Sequence, residues 1–229
     1  MMYIDLLREV SLFEGLSENE LRALGDVAIT RQYPKGNVIL LAEEEGDTMY
    51  VILRGKVKIS IISEDGREII LEIFQEHDFF GEMSLLDSGP RSATVIAMED
   101  TELLMLRRPE FLDLIRRIPE IATKLLAEMT SRLRRADRKI ESLALLNVTG
   151  RIAGTLLQLA EQNGESTQEG TIVRNRPTHQ EIANMSGTTR ETVTRVLKRL
   201  ERDGYIVSLG KDILILENRD LQDVIEVGL

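Results

Sequence analysis

This sequence predicts an α+β chain with a β domain at one end, a long helix in the middle and a winged helix-turn-helix at the other. Three observations predict it. Short apolar segments punctuated by glycine run across residues 35–106, a heptad repeat of apolar residues runs across 118–147, and residues 178–202 pair a capped helix with an amphipathic one. The expected boundaries are 1–117, 118–147 and 148–229.

At 229 residues the chain suits two compact domains and a connecting element. Its 42% hydrophobic and 30% charged content is that of an ordinary globular protein. No segment approaches the roughly 20 apolar residues needed to span a bilayer, and the N-terminus has no basic-then-apolar signal pattern. The protein is therefore expected in the cytoplasm, away from membranes. Cysteine is absent, which excludes disulfides, thiolate nucleophiles and iron–sulfur clusters. His77 and His179 are the two histidines, too few for a histidine-rich metal or haem site.

In the β domain, Val57, Ile59 and Ile61 alternate with Lys56, Lys58 and Ser60, so one face of that strand is expected to be core. Asp65-Gly66 makes a hairpin turn, and residues 69–74 return as the partner strand. Several short strands at regular spacing favour a roll or barrel. Further on, Leu125, Met129, Leu133, Ala136, Ile140 and Leu143 recur at heptad-like steps. A lone surface helix does not require such a seam, so the helix is expected to pair with a second copy of itself, its N-terminal end still touching the β domain. Residues 147–150 interrupt the periodicity and are expected to act as a hinge. A new helix begins at Arg151, a polar loop follows at 163–170, and residues 206–216 fold around Gly210-Lys211-Asp212 as a wing.

The net charge of −10 opposes nucleic-acid binding, but charge is segregated. Arg174, Arg176, Arg190, Arg195, Lys198, Arg199 and Arg202 face only Glu181, Glu191 and Glu201 between 174 and 202, a local charge of +4. Thr178 with Glu181 forms a capping box, Gly187 supplies a turn, and a second helix runs from about 189 to 202. On that helix Arg190, Glu191, Thr194 and Arg195 share one side, and Val193, Val196, Leu197 and Leu200 the other. Arginine donates two bonds to guanine O6 and N7, and glutamate accepts from cytosine N4. The simpler use of Glu191 and Arg195 is an intrahelical i, i+4 pair.

Residues 79–95 carry a second signal. Gly81 can turn backbone N–H groups toward an anion, Arg91 can hold a phosphate bidentately, and Ser92 adds a hydroxyl. Glu82 cannot face a phosphate, so it serves a donor such as a ribose hydroxyl. The set fits a sugar phosphate, with Arg91 facing ligand rather than core. A structural Glu82–Arg91 ion pair is the plainer arrangement.

These motifs resemble the family of the cyclic AMP receptor protein and the fumarate-nitrate regulator (CRP/FNR) over essentially the full length. Phe80-Gly81-Glu82 through Pro90-Arg91-Ser92-Ala93 match its phosphate-binding cassette, residues 178–202 its helix-turn-helix, and 148–153 its domain junction. The resemblance implies an N-terminal β-roll cyclic-nucleotide-binding domain, a long dimerisation helix and a winged helix-turn-helix. It implies that Glu82 binds the ribose hydroxyl, Arg91 and Ser92 the cyclic phosphate, and Ile59 and Leu71 the sugar and base. Gly81, Met83, Arg132, Ala136 and Asp137 complete the implied ligand site. Arg190, Glu191 and Arg195 would read a TGTGA-like half-site, while Thr149, Gln180, Thr189 and Thr192, with Lys198, would meet phosphates. The oxygen-sensing branch needs cysteines that are absent, and the haem-sensing branch is disfavoured on similar grounds.

Where the receptor sets a Thr-Ser pair against the purine, this chain has Ala136 and Asp137. Cyclic AMP is the expected effector, with cyclic GMP or none as alternatives, and no metal. The expected partners are double-stranded DNA, a second copy of the chain and RNA polymerase. The rival readings are a DNA binder with a ligand-free roll, and a cyclic-nucleotide-regulated enzyme or docking subunit. No nucleophile elbow, Walker loop or metal-ligand spacing supports an enzyme.

Overall fold

The structure, a computed structural model, describes residues 4–217 and 220–227. Residues 1–3 of the N-terminal segment read above lie outside them. The chain divides into two compact units, 1–132 and 133–229.

The first unit opens with α1 (Ile4–Arg8), a 3₁₀ turn and α2 (Glu18–Val27), which a Ser17/Glu20 capping box starts. The strands β1 (Ile29–Tyr33), β2 (Val38–Leu40), β3 (Thr48–Arg54), β4 (Val57–Ile62), β5 (Glu68–Phe74) and β6 (Phe79–Phe80) follow. The short helix α3 (Glu82–Asp87) precedes β7 (Thr94–Ala97) and β8 (Thr101–Arg107). Two four-stranded antiparallel sheets result, ordered β1-β8-β3-β6 and β2-β7-β4-β5. Then come α4 (Arg108–Arg117) and α5 (Pro119–Leu145), the latter started by a proline whose missing N–H costs nothing in a first turn.

Burial follows the two-residue strand period. On β3, Met49, Val51 and Leu53 join a core formed with Phe13, Leu21, Leu24, Phe111, Ile121 and Leu125. Tyr50 and Ile52, on the other face, join Tyr33, Val57, Phe74, Phe80, Val95 and Leu103 between the sheets. Because both faces are covered, β3 reads as a continuous apolar run.

Two expectations about this unit are corrected. The β domain begins at β1, before residue 35, a strand the sequence hides because four of its five residues are exposed and Thr30, Arg31 and Gln32 are polar. The alternation on β4 does not hold. Ile59 pairs with Glu72 but Ser60 with Ile70, so Leu71 is an extra residue on β5. This bulge breaks the register, and Ser60 is fully buried while Ile61 is exposed. The N-terminal end of the helical seam touches the β domain, as expected. Leu125 lies in the core, whereas Leu126, Leu133 and Ile140, seven residues apart, are 67%, 63% and 65% exposed.

In the second unit α5 ends and α6 (Val148–Asn163) starts after Leu146 and Asn147. Asn147 is the N-cap, its side chain accepting from Gly150 N at 2.9 Å, so Val148, Thr149 and Gly150 form the first turn of α6 rather than a hinge segment. The expected loop at 163–170 contains β9 (Gly164–Ser166), which pairs with β10 (Gly170–Val173). Next come α7 (His179–Ser186), α8 (Arg190–Arg202), the wing strands β11 (Ile206–Leu209) and β12 (Asp212–Leu216), and α9 (Leu221–Val227) against α6. The sheet order is β11-β12-β10-β9.

Candidate functional site

In the first unit, α3 and the segment after it gather the charged residues singled out by sequence. Gly81 sits at φ 79°, a left-handed conformation that suits glycine, and it starts α3. Glu82, one residue on, is 2% exposed. Its Oε1 accepts from Arg132 Nη1 at 3.2 Å, and its Oε2 has no hydrogen-bond partner among the described residues. Arg132 also donates to Phe79 O (2.7 Å) and Glu128 Oε1 (3.0 Å), and its guanidinium lies 4.6 Å from the ring centroids of Phe74 and Phe79. Burial pushes the Glu82 carboxyl above its ordinary value and Arg132 pulls it back. The plainer sequence reading, a Glu82–Arg91 ion pair, is thus replaced by Glu82–Arg132.

Arg91 is also turned inward, contrary to the expectation that it avoids the core. It is 5% exposed, donating through Nη1 to Gly81 O (2.9 Å) and Ser84 Oγ (2.7 Å) and through Nη2 to Thr48 O (2.8 Å). A guanidinium has five N–H donors, so Nε–H and one Nη2–H remain along one side edge. That edge lies against Gly46, where a Cβ would stand 2.0 Å from Nε. Burial draws the Arg91 pKa down, while Tyr50, Asp47 and Glu82 draw it up.

The remaining ligand candidates lie on other elements of the chain or beside α3. Ser92 is exposed, its Oγ 3.5 Å from Met83 Sδ, and Met83 is itself half-exposed. Ile59 is partly buried on β4, and Leu71 is the exposed bulge residue of the neighbouring strand. Ala136 and Asp137 belong to the second unit, where both are exposed. Sequence reasoning missed Gly46, Thr48 and Ser84. Only the glycine offered a signal, and nothing local distinguishes it from a turn residue.

The second unit carries the helix-turn-helix. Thr178 and Glu181 form the expected capping box, and Gly187, at φ 61°, ends α7. Lys139 donates to Met185 O, and Arg151 Nε to Ser186 O at 2.9 Å, so two cations brace the C-terminus of α7 before the turn. Thr189 caps α8 by accepting from Thr192 N. As expected, Val193, Val196, Leu197 and Leu200 are buried, while Arg190, Glu191, Arg195 and Lys198 are exposed. Among the described residues Glu191 and Arg195 make no ion pair with each other. Gln180 is exposed and donates to Asn184 Oδ1 at 2.9 Å. Thr149, Thr192 and Arg195 line a cleft of about 250 Å³ together with Val148, Val196 and Arg199. Among the described residues no helix is long and apolar enough to cross a membrane, and no cluster of histidines and carboxylates could hold a metal ion.

Comparison with known proteins matches both units. The model of the cyclic nucleotide-binding domain covers residues 30–118, and that of the Crp-like helix-turn-helix domain covers 150–224. The cyclic AMP receptor protein of Thermus thermophilus is 38% identical over 218 residues, 95% of this chain and 97% of its own length. The CRP-like cAMP-activated global transcriptional regulator of Mycobacterium tuberculosis is 35% identical over 219 residues, with the same coverage of both chains. Among solved structures, the Thermus thermophilus catabolite activator protein shares 36% identity over 95% of this chain and 99% of its own, with a TM-score of 0.54. The c-di-GMP responsive global regulator CLP of Xanthomonas campestris shares 27% identity over 87% and 99%, with a TM-score of 0.73.

Proposed function

Because the chain belongs to the CRP/FNR family of transcription regulators, and not to a family of enzymes, we propose that it is a cyclic-AMP-responsive homodimer that binds two-fold-symmetric DNA. The observation that carries the ligand half is the buried cassette: an acceptor-only carboxylate with one oxygen unpartnered, and an arginine with one edge of donors unused. Glu82 Oε2 would accept from the ribose 2′-hydroxyl, and Arg91 with Ser92 would take the cyclic phosphate. Gly81 and Met83 would bound the phosphate end, Ile59 and Leu71 the sugar and base, and Arg132 would hold Glu82 in place. Ala136 and Asp137 would approach the purine. A carboxylate there only accepts hydrogen bonds, which suits the adjacent N1–H and N2 donors of guanine better than adenine.

Two copies would pair along Leu126, Leu133 and Ile140, since an exposed heptad stripe is stable when buried against its like. The two α8 helices would then meet TGTGA-like half-sites about one DNA turn apart. Arg190, Glu191 and Arg195 would read base edges, and Thr149, Gln180, Thr189, Thr192 and Lys198 would meet phosphates. Ligand would act through unequal affinity for the DNA-competent arrangement and its alternative. The reading places the protein in the cytoplasm, with RNA polymerase as a further partner.

Relatives respond to different nucleotides by name, cAMP and c-di-GMP, so the effector needs direct measurement. The test is calorimetric titration with cyclic AMP, cyclic GMP and c-di-GMP, followed by TGTGA-type duplex binding with each. Cyclic AMP binding that strengthens duplex affinity is the expected result. Duplex binding that ignores every nucleotide would mean a ligand-free roll, and no duplex binding would mean a protein-docking subunit.

A further inference from the structure

We propose that Arg176 and His179 form a proton-gated seat for a DNA backbone phosphate at the edge of the helix-turn-helix. The inference rests on the DNA-binding reading above and adds to it a contact, a charge state and a dependence on pH.

The hydrogen-bond network assigns the tautomer of His179. Thr194 Oγ1 donates to Arg190 O at 3.0 Å, which uses the single hydrogen of that hydroxyl. The 2.8 Å contact between Thr194 Oγ1 and His179 Nδ1 must then have the ring as donor. With the proton on Nδ1, Nε2 is bare, and it accepts from Arg176 Nη2 at 3.2 Å. The free protein therefore holds a neutral imidazole clasping a guanidinium.

Among the described residues, the charges that shift the ring's pKa are positive. Burial disfavours the imidazolium most, and Arg176, on the loop before α7, and Arg190, on α8, add to it. The carboxylate of its own helix, Glu181, is committed to the Thr178 cap. Arg176 is itself under-used. It donates to Pro177 O through Nη1, while its Nε is buried without a partner among the described residues. An anion suits these donors, because it accepts from each and is stabilised by the positive charge around it.

Protonation and anion binding are coupled by geometry. A proton added at Nε2 turns that nitrogen into a donor facing the N–H of Arg176, so the clasp must open. The ring and the guanidinium are then both free to donate, and a phosphate oxygen can accept from each. Gln180 follows His179 on α7 and Arg190 opens α8, and both are exposed residues of the proposed DNA face. Phosphate binding would raise the His179 pKa from its depressed free value, so binding takes up a proton. Affinity then rises as pH falls through the bound-state pKa, and levels off below the free-state pKa.

The test uses full-length protein with cyclic AMP, one TGTGA-type duplex and one unrelated duplex, from pH 5.5 to 8.5. His179→Gln keeps a donor toward Thr194 and cannot titrate. Wild type should bind both duplexes more tightly at the acid end, by about tenfold for each of the dimer's two seats, the change that a pKa shift of about one unit per seat gives. Its salt slope should be steeper there by about one unit per seat, and His179→Gln should show neither effect. In parallel, NMR titration of the two histidines should place His179 below the ordinary range in free protein and move it up when duplex is added. Equal pH dependence in wild type and His179→Gln, or a His179 midpoint that duplex leaves in place, overturns the seat. Inorganic phosphate moving that midpoint as far as duplex does overturns its assignment to the DNA backbone. Failure of wild type to bind either duplex at any pH removes the DNA-binding reading, and the inference with it.

Discussion

Glu82 Oε1 is held by Arg132 Nη1 at 3.2 Å, so the buried carboxylate of the cassette is neutralised from the long helix and not by the arginine nine residues after it. Removing Arg132 leaves Glu82 buried without its cation, an arrangement that costs about 3 kcal/mol. Arg132→Met should lower stability by roughly that amount at pH 8. Burial holds the Glu82 pKa above its unfolded value, so the group's contribution is fully present below the unfolded pKa and is lost as pH rises through the folded one. The variant's deficit should therefore shrink toward pH 4.5. Urea unfolding at both pH values checks it, and a deficit that grows on acidification contradicts the pairing.

Gly46 makes room for the guanidinium of Arg91. A Cβ would stand 2.0 Å from Nε, so Gly46→Ala must push Arg91 off its carbonyls or the ligand off Arg91. Cyclic nucleotide affinity should fall at least about tenfold, roughly 1.4 kcal/mol, in a protein whose circular dichroism is unchanged. Arg91→Leu should lose the ligand and about 2–4 kcal/mol of stability together, because Gly81 O, Thr48 O and Ser84 Oγ lose their donor. A variant as stable as wild type would refute that account.

On α5, Leu133→Asp with Ile140→Asp should convert a dimer to a monomer at micromolar concentration. Both side chains are exposed in the single chain, so the fold itself should survive. Analytical ultracentrifugation reads the mass, and a dimer that persists moves the self-association surface elsewhere.

For base readout, Glu191→Ala should cost roughly 1–3 kcal/mol at one base pair of each half-site and relax preference there. Lys198→Ala should instead weaken every sequence alike and reduce the salt slope by about one unit. Uniform loss across all bases for Glu191→Ala would falsify its reading role.

Asp137→Ser tests the purine end. Where Asp137 meets the base, the ratio of cyclic AMP to cyclic GMP affinity should move by about tenfold toward cyclic AMP, roughly 1.4 kcal/mol. An unmoved ratio takes Asp137 out of the ligand site.

What the sequence by itself determined lies within single elements. The two faces of α8, the Thr178–Glu181 capping box, the Asp65-Gly66 turn and the exposed stripe of α5 follow from periods of 3.6, 2 and 7 and from local cap and turn chemistry. Only the tertiary structure decided what depends on residues far apart in the chain. The bulge at Leu71 exists only once β4 and β5 are in register, and it reverses the expected burial of Ser60 and Ile61. Largely exposed β1 is a strand because β8 pairs with it, not because its own residues announce one. Glu82 and Arg132 are fifty residues apart, and Arg91 and Thr48 forty-three. A buried charge must be paired, and which partner it takes is fixed by the packing that buries both.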